Sequence, residues 1–194
     1  MPGEDRILTI PNAVTVVRLA CVPLFLWLLF GRENRAAAAY LLGALGATDW
    51  VDGYVARHFD QVSTLGKVLD PVADRVLLGV GIVAILVDGS VPAWIAWVVI
   101  VREVTISVAT VGLADAGARR IDVQWAGKAG TLALMVAFPL FLGSHADNLG
   151  WEDLAGALAW IFVLPGLALA WYAAITYIPR ARVALAEGRV GATV

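Results

Sequence analysis

Apolar stretches of about 20 residues follow one another along this chain, each long enough as a helix to cross the hydrocarbon core of a bilayer. In lipid every backbone N–H and C=O must find its partner inside the protein, which leaves helices as the spanning form for such runs. Composition agrees: 60% of residues are hydrophobic and 15% charged, against about 25% charged in ordinary soluble domains. The pattern predicts an all-α integral membrane protein with six transmembrane helices. They run from about Asn12 to Phe30, Ala36 to Arg57, Gly66 to Val87, Pro92 to Leu113, Val123 to Leu142 and Leu154 to Ile178.

Loop charge sets the expected orientation. Arg6, Arg57, Lys67, Arg119, Arg120, Lys128, Arg180, Arg182 and Arg189 fall at one set of helix ends, whereas the other set holds only Arg32 and Arg35. The positive-inside rule then puts both termini and the second and fourth loops in the cytoplasm. Residues 1–180 read as one membrane domain and 181–194 as a short, loosely ordered cytoplasmic tail. The tryptophans, Trp50, Trp94, Trp125 and Trp151 among them, cluster near span ends, as an interfacial belt does. No basic tract suggests nucleic acid, and the formal net charge of −2 identifies no partner. Cys21 is the single cysteine, which excludes an internal disulfide and a multi-cysteine metal site. The apolar run follows Cys21 rather than preceding it, which argues against a lipoprotein anchor, and no cleavable signal peptide is evident. His58 reads as a headgroup contact and His145 as a solvated loop residue.

Against this apolar background the segment "DWVDGYVARHFDQVSTLGKVLDPVAD" carries Asp49, Asp52, Asp70 and Asp74. Asp49 and Asp52 are three apart, with Gly53, Ala56 and Arg57 continuing the same face. Gly66, Asp70 and Asp74 recur every four residues on the next helix, and the short connection between the helices lets the two faces meet. Four ionised carboxylates at the cytoplasmic mouth of a helix pair repel one another and require a cation or protons. An all-oxygen donor set suits Mg²⁺ or Mn²⁺, and a pair of ions would clamp phosphate oxygens in an in-line displacement. Simple ion pairing with Arg57, Lys67 or Arg75 is the bland alternative. A proton- or cation-coupled transporter is the more serious one, although transporters hold such carboxylates near the midplane.

The spacing Asp49-x2-Asp52-Gly53-x2-Ala56-Arg57-x8-Gly66-x3-Asp70-x3-Asp74 matches at every position the signature of the CDP-alcohol phosphotransferase family, which this chain therefore resembles over nearly its whole length. The resemblance implies six spans with cytoplasmic termini, a cytoplasmic-side active site in the cell membrane, and a homodimer. It implies transfer of a phosphatidyl group from CDP-diacylglycerol to an alcohol, with release of CMP. By the same resemblance Asp49, Asp52, Asp70 and Asp74 hold the metal, with Asp74 also the catalytic base. Gly53, Ala56, Arg57, Ser63 and Gly66 would bind the nucleotide, Thr64 being an alternative to Ser63. "IPNAVTVVR" looks like the family's opening segment, in which Asn12 and Thr15 help bind the CDP group. A helix cap with an interfacial Arg18 is the alternative for that segment.

The acceptor is less constrained. "LDPVADR" and "VREVTIS" resemble phosphatidylglycerophosphate synthases, and Arg102 with Lys128 could converge on an acceptor phosphate; glycerol 3-phosphate is accordingly the expected acceptor. A local ion pair between Arg102 and Glu103 is the competing reading. Two departures stand against glycerol 3-phosphate: no later arginine follows in the fourth span, and Gly130 occupies a position where those synthases tend to carry a second lysine. Phosphatidylglycerol, the acceptor of the family's cardiolipin synthases, and inositol phosphate are the alternatives.

Overall fold

The structure is a computed structural model that describes residues 10–59, 64–116, 124–147 and 149–191; side chains at 10–14 and 49–75 and in parts of the last helix lie outside that description. Six α-helices make up the described chain: α1 (Ile10–Leu26), α2 (Arg35–Phe59), α3 (Thr64–Asp88), α4 (Ala93–Asp115), α5 (Trp125–Ser144) and α6 (Glu152–Gly191). Three of them are long and apolar enough to cross a membrane, over Ala93–Leu113, Trp125–Ser144 and Glu152–Ala181, with shorter apolar stretches at Thr15–Gly31 and Val76–Asp88. Exposed Val101, Val104, Val108 and Val111 along α4 suit a lipid-facing surface.

Local chemistry explains the helix ends. Pro23 lies inside α1 and cannot donate to the preceding turn; the helix then widens into a π-turn over Trp27–Gly31 before it stops. Glu33 adopts a left-handed conformation (φ 51°) in the tight connection, and the Asn34 Oδ1 accepts from the Ala37 N–H at 2.9 Å to open α2. Gly89 (φ 81°) ends α3 in the conformation glycine adopts at least cost.

The core is an apolar layer in the half of the bundle where α2 begins and α3 ends. Phe25, Leu29, Ala38, Ile85, Ile95, Val99, Phe141, Leu142, Ala159 and Val163 are all almost fully buried there. Small residues let α5 and α6 approach closely. A Cβ built on Gly130 would lie 2.7 Å from the Ala170 backbone N and 3.0 Å from the Gly166 O. Gln124 Oε1 accepts from Thr176 Oγ1 at 3.0 Å, tying the start of α5 to α6. A second, smaller apolar cluster joins Val22 of α1, Leu45 of α2 and Leu77 of α3, with Cys21 packed beside it.

The sixth helix runs beyond Ile178, the expected end of its apolar span, and continues through Pro179 to Gly191. Hydrophobicity ends there; helix-forming sequence does not, since "RARVALAE" is composed almost wholly of good helix formers.

Candidate active site

Two contacts fix how α2 and α3 run past each other. The Arg35 guanidinium Nε donates to both carboxylate oxygens of Asp88, at 3.2 and 3.0 Å, so the start of α2 lies beside the end of α3. Farther along, Leu45 and Leu77 meet at Val22. The helices are therefore antiparallel, and their register follows from counting outward at about 1.5 Å per residue. Asp49 lies as many residues from Arg35 as Asp74 lies from Asp88, so the two share one depth. One turn on, Asp52 and Asp70 share the next. Gly53, Ala56 and Arg57 continue α2, and Gly66 stands in the opening turn of α3. The side chains of these residues, and all of Ser63, lie outside the described residues.

The register of α1 follows from Val22. One turn toward its start is Arg18, at the depth of Asp49 and Asp74; a further turn brings Thr15 to the depth of Asp52 and Asp70. Both are only 4% exposed, and neither lacks an interaction partner. Arg18 is thus an interior residue rather than an interfacial one. Asn12, a turn farther on in α1, has its side chain outside the description. Burying a guanidinium and a hydroxyl is costly unless they are matched by polar groups, which fits their standing level with the motif.

Helix α5 covers another face of α2. Gly43 packs at Pro139 and Gly46 at Met135, an antiparallel register that carries Lys128 to the depth of Gly53. The Lys128 side chain is exposed. Arg102, in the middle of α4, is mostly buried and its Nη1 forms an ion pair with Glu103; its Nε is buried with no hydrogen-bond partner among the described residues. The local pairing read from "RE" is therefore present, while α4 packs chiefly on α3 and α6 rather than on α5.

A cavity of about 220 Å³ lies between α2, α3 and α5, with Glu103 of α4 in its wall. Its lining residues Gly46 and Leu77 stand one turn from Asp49 and Asp74. Glu103 thus has a place beyond its ion pair, and an acid inside an apolar span is the sequence signal for it. Gly130 also gains a physical reason. It faces the α6 backbone at closer than side-chain distance, so the lysine of the resembled synthases has no room in this crossing.

Comparison with known proteins shows the family. The family model for CDP-alcohol phosphatidyltransferase matches residues 8–184. A Streptomyces coelicolor protein named cardiolipin synthase (CMP-forming) is 39% identical over 184 residues, covering 92% of this chain and 85% of that protein. Proteins named CDP-diacylglycerol–glycerol-3-phosphate 3-phosphatidyltransferase are 33% identical over 170 residues in Pseudomonas fluorescens, covering 84% of this chain and 85% of that protein. The Bacillus subtilis protein of that name is 30% identical over 180 residues, covering 84% and 91%. With the family model spanning nearly the whole chain and the motif complete on two helices in register, this protein belongs to the CDP-alcohol phosphatidyltransferase family.

Proposed function

We propose that this protein transfers the phosphatidyl group of CDP-diacylglycerol to the hydroxyl of a glycerol-based acceptor at a divalent-metal site formed by Asp49, Asp52, Asp70 and Asp74. The observation that carries the reading is the matched depth of the two aspartate pairs on α2 and α3, beside the buried Thr15 and Arg18 of α1. Four carboxylates and no softer donor make a set suited to Mg²⁺ or Mn²⁺. Two bound ions would neutralise the pyrophosphate and the departing CMP.

The chain's own residues supply the rest. Asp74 accepts the proton of the acceptor hydroxyl as its oxygen bonds to the phosphatidyl phosphorus. The bond from that phosphorus to the CMP oxygen breaks in line, and CMP leaves. Gly53 and Ala56 let the cytidine approach the α2 backbone, and the planar fork of Arg57 orients the pyrophosphate. Asn12, Thr15, Ser63 and Gly66 complete the nucleotide groove. Positioning of donor and acceptor is where most of the rate enhancement arises.

Two acceptors are in play. Glycerol 3-phosphate follows the names of the P. fluorescens and B. subtilis relatives. Phosphatidylglycerol follows the name of the S. coelicolor relative, and Arg102 adds a specific argument for it. Paired with Glu103, its net charge is cancelled locally, while its unmatched Nε can still donate one hydrogen bond. That suits a singly charged phosphodiester better than a dianionic phosphomonoester. Six membrane spans, cytoplasmic termini, a place in the cell membrane and a homodimer belong to the same proposal.

The deciding experiment supplies purified protein with Mg²⁺, CDP-diacylglycerol and glycerol 3-phosphate, phosphatidylglycerol or inositol phosphate, and identifies lipid products by mass. CMP release with at least one acceptor is expected. Silence with all of them overturns the reading, and metal-independent CDP binding overturns the metal site.

A further inference from the structure

The cavity beside the motif has an entrance. On the outside of the α2–α5 contact a groove of about 500 Å³ runs past Gly46, Met135 and Pro139, and the same three residues line the cavity of about 220 Å³ behind it. Leu132 and Val136 form the outer rim of the groove and are 49% and 36% exposed, on the surface of one of the membrane-long helices. Groove and cavity thus share the wall formed by Gly46, Met135 and Pro139, between the apolar surface of the protein and a point within one turn of Asp49 and Asp74.

The described lining is mainly apolar, and its two polar side chains are already committed. The Thr131 hydroxyl donates to Gly127 O of its own helix at 2.9 Å, and the Glu103 carboxylate is held by Arg102. Glu103 is the charged side chain among the cavity's described lining residues, so a free phosphomonoester would meet a like charge there. A hydrocarbon chain would meet walls that give it favourable burial. The position favours the acceptor over the donor. Leu77 and Leu78 in the wall lie one turn beyond Asp74, the proposed base, and Arg102 and Lys128 stand next to wall residues Glu103 and Thr131. Helix α1, with Asn12 and Thr15 on the proposed donor side, touches Leu77 of the wall through Val22 but supplies none of the cavity's described lining residues.

We propose that the α2–α5 groove is a lateral entrance and the cavity behind it the seat of an acyl chain of the acceptor. The acceptor is then a membrane lipid whose free hydroxyl reaches Asp74 from within the bilayer. This rests on the phosphatidyl-transfer reading and narrows its acceptor to a lipid.

The test uses the full chain in phosphatidylcholine vesicles with Mg²⁺ and CDP-diacylglycerol, and compares phosphatidylglycerol, its deacylated headgroup glycerophosphoglycerol, and glycerol 3-phosphate. Phosphatidylglycerol should be the best acceptor. A Cβ at Gly46 would meet Met135 Cε at 3.6 Å, an ordinary contact, and the further carbons of Gly46→Leu would extend into the proposed path. It should raise KM for phosphatidylglycerol about tenfold, the equivalent of about two methylenes no longer buried, and move KM for CDP-diacylglycerol by less than about twofold. A second measurement leaves the sequence untouched: phosphatidylglycerol with a photoreactive group in its acyl chain should label the α5 peptide containing Leu132 and Met135. Excess phosphatidylglycerol should abolish the labelling, and excess CDP-diacylglycerol should not. Glycerol 3-phosphate or the headgroup serving as well as the lipid overturns the inference. So does a rise in the CDP-diacylglycerol KM in Gly46→Leu, or labelling displaced by the donor alone. Failure of the unaltered protein to release CMP with any acceptor overturns the phosphatidyl-transfer reading itself and the inference with it.

Discussion

Where α2 begins and α3 ends, Arg35, Asp88 and Arg32 each have a visible match. Arg35 holds Asp88 through both carboxylate oxygens, Ser90 adds a hydroxyl to the same carboxylate, and Arg32 lies over the Trp27 ring at 5.0 Å. Phe25, Leu29, Ile85, Ile95 and Phe141 fill the space between the helices. At the other end α2 and α3 carry Asp49, Asp52, Asp70 and Asp74 at matched depths, and α1 buries Thr15 and Arg18 beside them. Like charges gathered on neighbouring helices oppose folding unless a cation joins them, so on the proposed function the first end holds the bundle together while the second bears the chemistry. This division teaches where to expect a substitution to cost stability and where to expect it to cost turnover.

The sharpest break in that division is Asp74→Asn. Removing the proposed base should lower kcat by about a thousandfold, within the usual range for a general base, with metal-dependent CDP binding retained. Stability should move the other way: without added metal the variant loses one of four repelling carboxylates, so its unfolding midpoint should equal or exceed that of the unaltered protein. An Asp74→Asn protein with full turnover removes the base role. One that is inactive only because it has unfolded shows that the motif end contributes to stability after all.

Gly130→Lys asks whether the α5–α6 crossing tolerates the lysine of the resembled synthases. The Ala170 backbone N stands 2.7 Å from where its Cβ would sit, and backbone cannot rotate away as a side chain can. Overpacking of this kind costs about 3 kcal/mol or more. The expected result is a large drop in thermal midpoint in detergent, whereas unchanged stability with new activity toward glycerol 3-phosphate would mean that the crossing is looser and that the missing lysine decides the acceptor.

How much of this was legible in advance follows from which forces act locally. The ends of α4, at Ala93 and Asp115, fall within a few residues of the apolar run from Pro92 to Leu113, because burial in lipid depends on sequence alone. The helices that carry the proposed motif were legible from local spacing as well: Asp49 and Asp52 fall within α2, and Asp70 and Asp74 within α3. Three features were not. Gly130 has meaning only once the α6 backbone is known to pass it. Arg18 near a span end suits an interface equally well, until Val22 and its neighbours fix α1 between α2 and α3. The extension of α6 to Gly191 was hidden because the reading followed hydrophobicity, and helix propensity outlasted it.

Asp88→Asn tests the stabilising end more gently. The Asp88 side chain is 7% exposed and that of Arg35 35%, so the pair is half in solvent and screened accordingly. An amide keeps one acceptor for Arg35 Nε but loses the charge assistance, a cost of about 1–2 kcal/mol. The midpoint should fall while kcat and both KM values hold, because the site lies at the far end of α2 and α3. A loss of turnover at unchanged stability would show that the Arg35–Asp88 contact sets the register by which Asp49 meets Asp74, which would make it a positioning device rather than a clamp.

The smallest expected effect belongs to Arg32→Ala. The guanidinium of an exposed arginine over an indole contributes about 0.5–1 kcal/mol, and both partners lie in the turn that joins α1 to α2. Trp27 is 51% exposed and opens the π-turn, so its ring is free to pack elsewhere when the cation leaves. Only a slight fall in midpoint should result, smaller than that of Asp88→Asn, with phosphatidyl transfer intact. If Arg32→Ala instead lowered transfer while the midpoint stayed in place, the α1–α2 turn would be communicating with the motif through α1. Thr15 and Arg18, which travel on that helix, would then be the residues to follow next.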